Sequence, residues 1–257
     1  MRPFRVVIAA IALAACSGGG SATSAPSTAF SSPAASSPPS SSFSSDAQCP
    51  NPDGGANNAC LGALSAGSYK TVTFAPTVAY TVPDGWSNME DLPGNFLLLP
   101  PGGSLHGVNA NTSDFLGVYS SVAAPIECND TVDTSVAATP QAMVDWMNTQ
   151  PAMVASVPVP VTISGLAGLR VDVAFNDAKA DTACHQGQDV FADVIIGTGR
   201  SSLVHGVLHD YRLRLTLLSF HGGVLAIEEA DAPGGSDFSD WFTAAQPIID
   251  SFVFSNL

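Results

Sequence analysis

Apolar and polar residues follow two periods along this 257-residue chain, and those periods predict its elements. Period two dominates. Leu169, Val171, Val173 and Phe175 alternate with Arg170, Asp172 and Ala174, which predicts a strand with one buried and one wet face. Tyr69 to Phe74 and Val78 to Val82 read as further strands, followed by a turn at Pro83-Asp84-Gly85. Phe96 to Leu99 and Phe115 to Val122 are apolar enough to be strands as well. Val190 to Ile196 is a near-continuous apolar run, which suits a central position in a sheet. The clearest hairpin joins Arg212 to Phe220 with Val224 to Glu229 through His221-Gly222-Gly223. Glycine there supplies the positive φ that a tight turn needs.

A period near 3.6 appears twice. Thr139 can cap a helix that has Pro140 at its first position, and Met143, Val144, Trp146 and Met147 form its apolar stripe. Pro151 stops it. A second helix is expected from Ser236, with Phe238, Trp241, Phe242, Ala245, Ile248, Ile249 and Phe252 on one face. Asp237 and Asp240 suit its positive N-terminal end, and Pro247 is expected to kink or split it. Many strands with two helices among them predict the α+β class: a mostly antiparallel β-sheet with two main helices packed on it.

The first residues follow another pattern. Arg2 and Arg5 precede an unbroken apolar run from Val6 to Ala15. Ten helical residues rise about 15 Å, roughly half a hydrocarbon core, so the run reads as the core of a secretory signal rather than a span. It ends Leu13-Ala14-Ala15-Cys16. That sequence resembles the lipobox of bacterial lipoproteins. The resemblance implies removal of 1–15, a diacylglyceryl thioether on Cys16, and export to the outer face of a bacterial cytoplasmic membrane. Two acyl chains make a stable anchor where one is marginal. From Ser17 to Gln48 the chain is almost entirely Ser, Ala, Gly, Pro and Thr. Such a composition cannot offset the entropy of ordering, so 16–48 is expected to be a disordered tether of roughly 30 Å. Residues 49–257 then form a single globular domain, long enough for one sizeable core.

Within the domain, several phrases recur in order. They are Tyr80-Thr81-Val82-Pro83-Asp84-Gly85-Trp86, the helix with Trp146, and Val161-Thr162-Ile163-Ser164-Gly165-Leu166-Ala167-Gly168-Leu169-Arg170-Val171-Asp172. The Gly222-Gly223 hairpin follows, and Ala245-Gln246-Pro247-Ile248-Ile249-Asp250-Ser251-Phe252-Val253-Phe254 closes the chain. Together they resemble secreted and lipid-anchored α/β-sandwich domains of actinobacterial type, broadly similar to PsbP-like proteins, over about Tyr69 to Phe254. The resemblance implies a PsbP-like α/β sandwich and a non-enzymatic accessory role, since PsbP is a subunit that binds a membrane complex. It supplies no catalytic residue.

Cys49, Cys60, Cys128 and Cys184 are an even set in an exported chain and read as two disulfides. Of the three pairings, Cys49–Cys60 closes a short turn-rich loop, and Cys128–Cys184 joins two loops that flank the first helix. No C-x-x-C pair suggests a metal. The domain carries six Lys and Arg against 21 Asp and Glu, a net charge of −15. That balance argues against nucleic acid and against electrostatic attachment to anionic lipid.

Candidate chemistry is sparse. His205 and His209 share a face in a strand but lie about 13 Å apart there, and no H-E-x-x-H motif surrounds them. His106, His185 and His221 fall in loops. No G-x-S-x-G elbow occurs, and Gly197-Thr198-Gly199-Arg200-Ser201 lacks the lysine of a phosphate loop. Glu228 and Glu229 point to opposite faces and read as a solvated strand end. Trp86, Trp146, Arg212 and Arg214 are the candidates for lining a ligand groove. The sequence therefore predicts no catalytic set, no cofactor and no metal site. It predicts a lipid-anchored, non-catalytic binding module for an envelope protein or a small apolar ligand. Its alternatives are an envelope hydrolase with a site assembled from distant loops, and a structural spacer. A concave pocket with convergent perturbed side chains would favour the hydrolase.

Overall fold

Counting outward from the two-residue turn at His221-Gly222 organises the sheet. Both residues have positive φ, +48° and +75°, so the strands Arg212–Phe220 and Gly223–Asp231 leave the turn in register over their full nine residues. This computed structural model describes residues 61–186, 189–233 and 238–256. The signal, the tether, Cys16, the Cys49–Cys60 pair and the expected helix start at Ser236 and Asp237 lie outside the described residues.

The strand Phe115–Ala123 lies beside Gly223–Asp231, followed outward by Asn95–Leu99, Ser87–Asp91 and the short Gly62–Ala63. On the other side, Arg212–Phe220 is followed by Leu166–Phe175 and Val159–Ile163. Every pairing among the described residues is antiparallel. The fold is a mostly antiparallel sheet with few helices. Asp189–Gly197 is not at the centre of this path. It reaches Phe115–Ala123 only through Ile196 and Gly197, and with Val204–Leu208 and Cys184–Gln186 it forms a ribbon over one face.

Alternation along the strands splits the core in two. Leu213, Leu215, Leu217, Val171 and Val173 face the helix Pro140–Met147 and the ribbon. Leu218, Leu225, Ile227, Leu116 and Val118 face the helix Phe238–Asp250 and a separate sheet of Gly67–Lys70, Thr77–Val82 and Val253–Ser255. As expected, Thr139 caps the helix Pro140–Met147, its Oγ1 accepting from the Ala142 amide at 3.2 Å, with Pro140 at its start. The strand expected over Tyr69 to Phe74 stops at Lys70. The amides of Val72, Thr73 and Phe74 turn away and donate to the buried Asp91 carboxylate at 2.6, 3.0 and 2.7 Å. A carboxylate that satisfies three amides competes successfully with a sheet ladder.

Candidate functional site

Sheet alternation sends Glu228 and Glu229 to opposite faces, as expected, but neither is solvated. Both side chains are about 1% exposed. They are paired with strand neighbours on both sides, Leu215 and Gly117 for Glu228, and Arg214 and Leu116 for Glu229. The reading of a solvated strand end is therefore wrong, because the hairpin continues to Asp231 and Phe115–Ala123 covers its other edge.

Glu228 meets His205. Its Oε2 lies 2.6 Å from His205 Nδ1, and the imidazole is 29% exposed. His205 comes from Val204–Leu208, a strand whose polar residues and Gly206 disguise it in the sequence. Two rings hold the imidazole edge-on, Tyr119 at 5.2 Å and Phe115 at 5.8 Å between centroids. The Tyr119 hydroxyl lies 3.4 Å from the same Nδ1. Gly117 makes this possible, since a Cβ there would collide with the Tyr119 phenol. Burial opposes charge on His205, but the Glu228 carboxylate beside it prevails, so the imidazole titrates above the ordinary histidine value. With Nδ1 committed to Glu228, Nε2 is the nitrogen left for a ligand.

A concave cleft of about 420 Å³ opens over this pair. Asp130, Asp189, Asp193, His205, Tyr211 and Glu228 supply its polar wall. Burial first, then Glu228, push the Tyr211 phenol far above its usual value. Burial also raises the Asp193 carboxyl, although the Cys128 amide donates to it at 2.9 Å. The cleft is polar rather than apolar. Sequence reasoning missed it because its lining comes from segments far apart in the chain. His209, by contrast, is exposed and bonded to Asp177 at 2.6 Å.

The four groove candidates are not brought together. Trp86 is buried in one core, stacked on Trp241 at 5.7 Å, and Trp146 belongs to the opposite core. Both are packing residues: Trp146 lies on the apolar stripe of the helix Pro140–Met147 in one core, and Trp86, just before the strand Ser87–Asp91, lies in the other. Arg214 forms a bidentate pair with Asp172, at 2.7 and 3.0 Å, and its guanidinium lies 3.8 Å from the Phe242 ring centroid. Arg212 lies 5.1 Å over Phe238. Arg214 does line a shallow groove with Arg170, Phe238 and Phe242, without either tryptophan. Close by, Glu229, Arg170, Gln246 and Asp250 line a smaller cavity of about 180 Å³. Glu229 Oε1 has no hydrogen-bond partner there among the described residues. Burial pushes its carboxyl up to about 8, against the pull of Arg214 and Arg170.

Cys128 and Cys184 form a disulfide with an S–S length of 2.11 Å and Cα atoms 5.2 Å apart. Cys128 sits in the loop between the short strands Pro125–Ile126 and Thr131–Val132. Among the described residues, one group of His, Cys, Asp and Glu comes within metal-ligand range: Glu127, Cys128 and Cys184. Its two sulfurs are bonded to each other and are not free to ligate.

No family model matches the chain, and no curated protein does. Solved structures resemble it remotely, two of them as follows. One is a crystal structure from Bacteroides thetaiotaomicron VPI-5482, at 11% identity and a TM-score of 0.32 over 70% of this chain. The chain spans 45% of that protein. The other is the solution structure of cyanobacterial PsbP (CyanoP) from Synechocystis sp. PCC 6803, at 13% identity and a TM-score of 0.33. That match covers 75% of this chain and 94% of CyanoP. No residue role is carried over from either.

Proposed function

We propose that this is a lipid-anchored extracytoplasmic binding domain with a PsbP-like α/β-sandwich plan, whose ligand enters the cleft at His205 through a protonated amine. The anchor is lipid on Cys16, and the tether carries the domain away from the outer face of the membrane. One observation carries the ligand reading: a concave cleft lined by carboxylates from separate segments, beside an imidazole held by Glu228. Glu228 is engaged by His205, and Asp130, Asp189 and Asp193 add further carboxylates to the lining. A low-dielectric cleft lined by one sign of charge concentrates the opposite sign. This chemistry fits a cation better than the small apolar ligand expected from the sequence. The amine can belong to a free polyamine or to a lysine side chain of an envelope protein.

Calorimetric titration of the full-length protein with spermidine, and separately with a lysine-rich peptide, tests the reading. Binding that weakens about tenfold in Asp189→Asn and fades with salt supports it. Binding of spermidine alone identifies a small-molecule cleft, and binding of the peptide alone identifies a protein partner. Binding of neither, or binding indifferent to the cleft variant, overturns it.

The hydrolase reading is favoured by a specific observation. Glu228 engages Nδ1 of His205, whose imidazole is 29% exposed in the cleft, the arrangement of an acid–base dyad. It would be supported by turnover of an envelope substrate that disappears in His205→Ala.

A further inference from the structure

The Cys128–Cys184 disulfide has asymmetric surroundings. Cys128 is exposed, at φ +59° in its loop, whereas Cys184 is 2% exposed on the strand Cys184–Gln186. The buried sulfur faces two carboxyl groups, Glu127 Oε1 at 3.0 Å and Asp193 Oδ2 at 3.9 Å. Neither sulfur of a disulfide carries a hydrogen, so a hydrogen bond across the 3.0 Å contact is donated by the carboxyl. Glu127 Oε2 is buried with no partner among the described residues, and Oε1 accepts from the Asp193 amide at 3.4 Å. A carboxylate in that position would face sulfur lone pairs and a second carboxylate, whereas a neutral acid would not. Burial and then Asp193 push the Glu127 carboxyl up to about 7. Asp130 is the other charged group acting on the cluster, through Asp193, and His185 beside Cys184 is exposed.

We propose that Cys128–Cys184 is a thiol–disulfide exchange centre, in which Cys128 is the attacked sulfur and Glu127 protonates Cys184 as it leaves. The co-reactant is an external dithiol. Its thiolate forms a bond to Cys128 Sγ. The Cys128–Cys184 bond breaks, its electron pair passes to Cys184 Sγ, and that sulfur takes the proton of Glu127. The second thiolate of the dithiol then attacks its own sulfur in the mixed disulfide and releases Cys128, which takes a proton from solvent. The dithiol loses two electrons and the protein disulfide gains them. Solvent reprotonates Glu127. Exposure directs attack to Cys128, and the position of Glu127 against the buried sulfur makes Cys184 the leaving group. This assignment is independent of the ligand of the cleft.

The test treats the full-length protein and its Glu127→Gln and Glu127→Ala variants with dithiothreitol, quenches by alkylation, and follows Cys128 and Cys184 by peptide mass. An acid at Glu127 makes reduction slower by about tenfold or more in both variants. It also makes the wild-type rate, expressed per dithiothreitol thiolate, fall as pH rises through about 7, and the variant rates lack that step. The glutamine variant keeps the side-chain shape, and an unchanged Tm verifies its fold. Equal or faster reduction in folded Glu127→Gln overturns the proposal, because Glu127 would then act only as a negative charge opposing the thiolate. A disulfide that reacts only at the rate of global unfolding overturns it as well.

Discussion

At the residue scale, the two glutamates in the middle of the sheet show how a strand turns one dipeptide into two environments. Glu228 has the His205 imidazole within 2.6 Å, whereas Glu229 has an unpartnered oxygen and arginines at longer range. The consequence for stability has a definite sign. Glu229 titrates at the ordinary glutamate value when unfolded and at about 8 when folded. The folded chain therefore binds the proton more tightly, and its contribution, full below the ordinary value, is lost as pH rises through about 8. Glu229→Gln cannot titrate and lacks this loss. Urea unfolding at about pH 5 and about pH 9 should show the wild type losing stability relative to the variant by a few kcal/mol. Part of this was legible in advance. Counting back from a two-residue turn at His221-Gly222 sets Glu229 across from Arg214, and only the assumption of a longer turn hid it. The His205–Glu228 contact was not legible. It joins two strands through the third dimension, and no local period records which residue of a ribbon lies over which residue of a sheet.

At the element scale, periodicity did most of the work where a side chain had to be buried. The alternation of Leu169 to Phe175 and of Leu213 to Leu217 recurs in the structure as one face of one core. Val204–Leu208 read only as strand or turn in the sequence, because Gly206 and His205 dilute its apolar signal. Gly206 is there because a side chain would strike the Ala192 carbonyl of the neighbouring strand. The helix Phe238–Asp250 follows its predicted stripe and places Trp241 against Trp86. The Trp241 indole nitrogen has no partner among the described residues, so its contribution is packing. Trp241→Ala should then cost about 3–5 kcal/mol in urea unfolding, because it empties a large buried volume. Trp241→Phe, which keeps one aromatic ring and loses the rest of the indole with its unpartnered N–H, should cost less. Equal costs for the two would mean that the full indole, and not merely an aromatic ring, is needed against Trp86.

At the scale of the whole molecule, charge and anchor bear on one another. The domain carries a net charge of −15, and a surface of that sign is repelled by the anionic lipid of a bacterial membrane. Electrostatics therefore cannot hold it there, and no helix among the described residues is long and apolar enough to cross a membrane. On the proposed reading, the whole of membrane retention falls to the lipid on Cys16. The expected result of Cys16→Ser is correspondingly sharp. Wild-type protein should take up labelled palmitate and partition into the detergent phase of a Triton X-114 extract. The serine variant, without a thiol to modify, should be unlabelled and leave that phase, and low salt should not restore it. A variant that stays with the membrane, unlabelled, in both low and high salt would move the attachment from Cys16 to a bound partner. The acidic cleft around His205 would then be the first place to look for it.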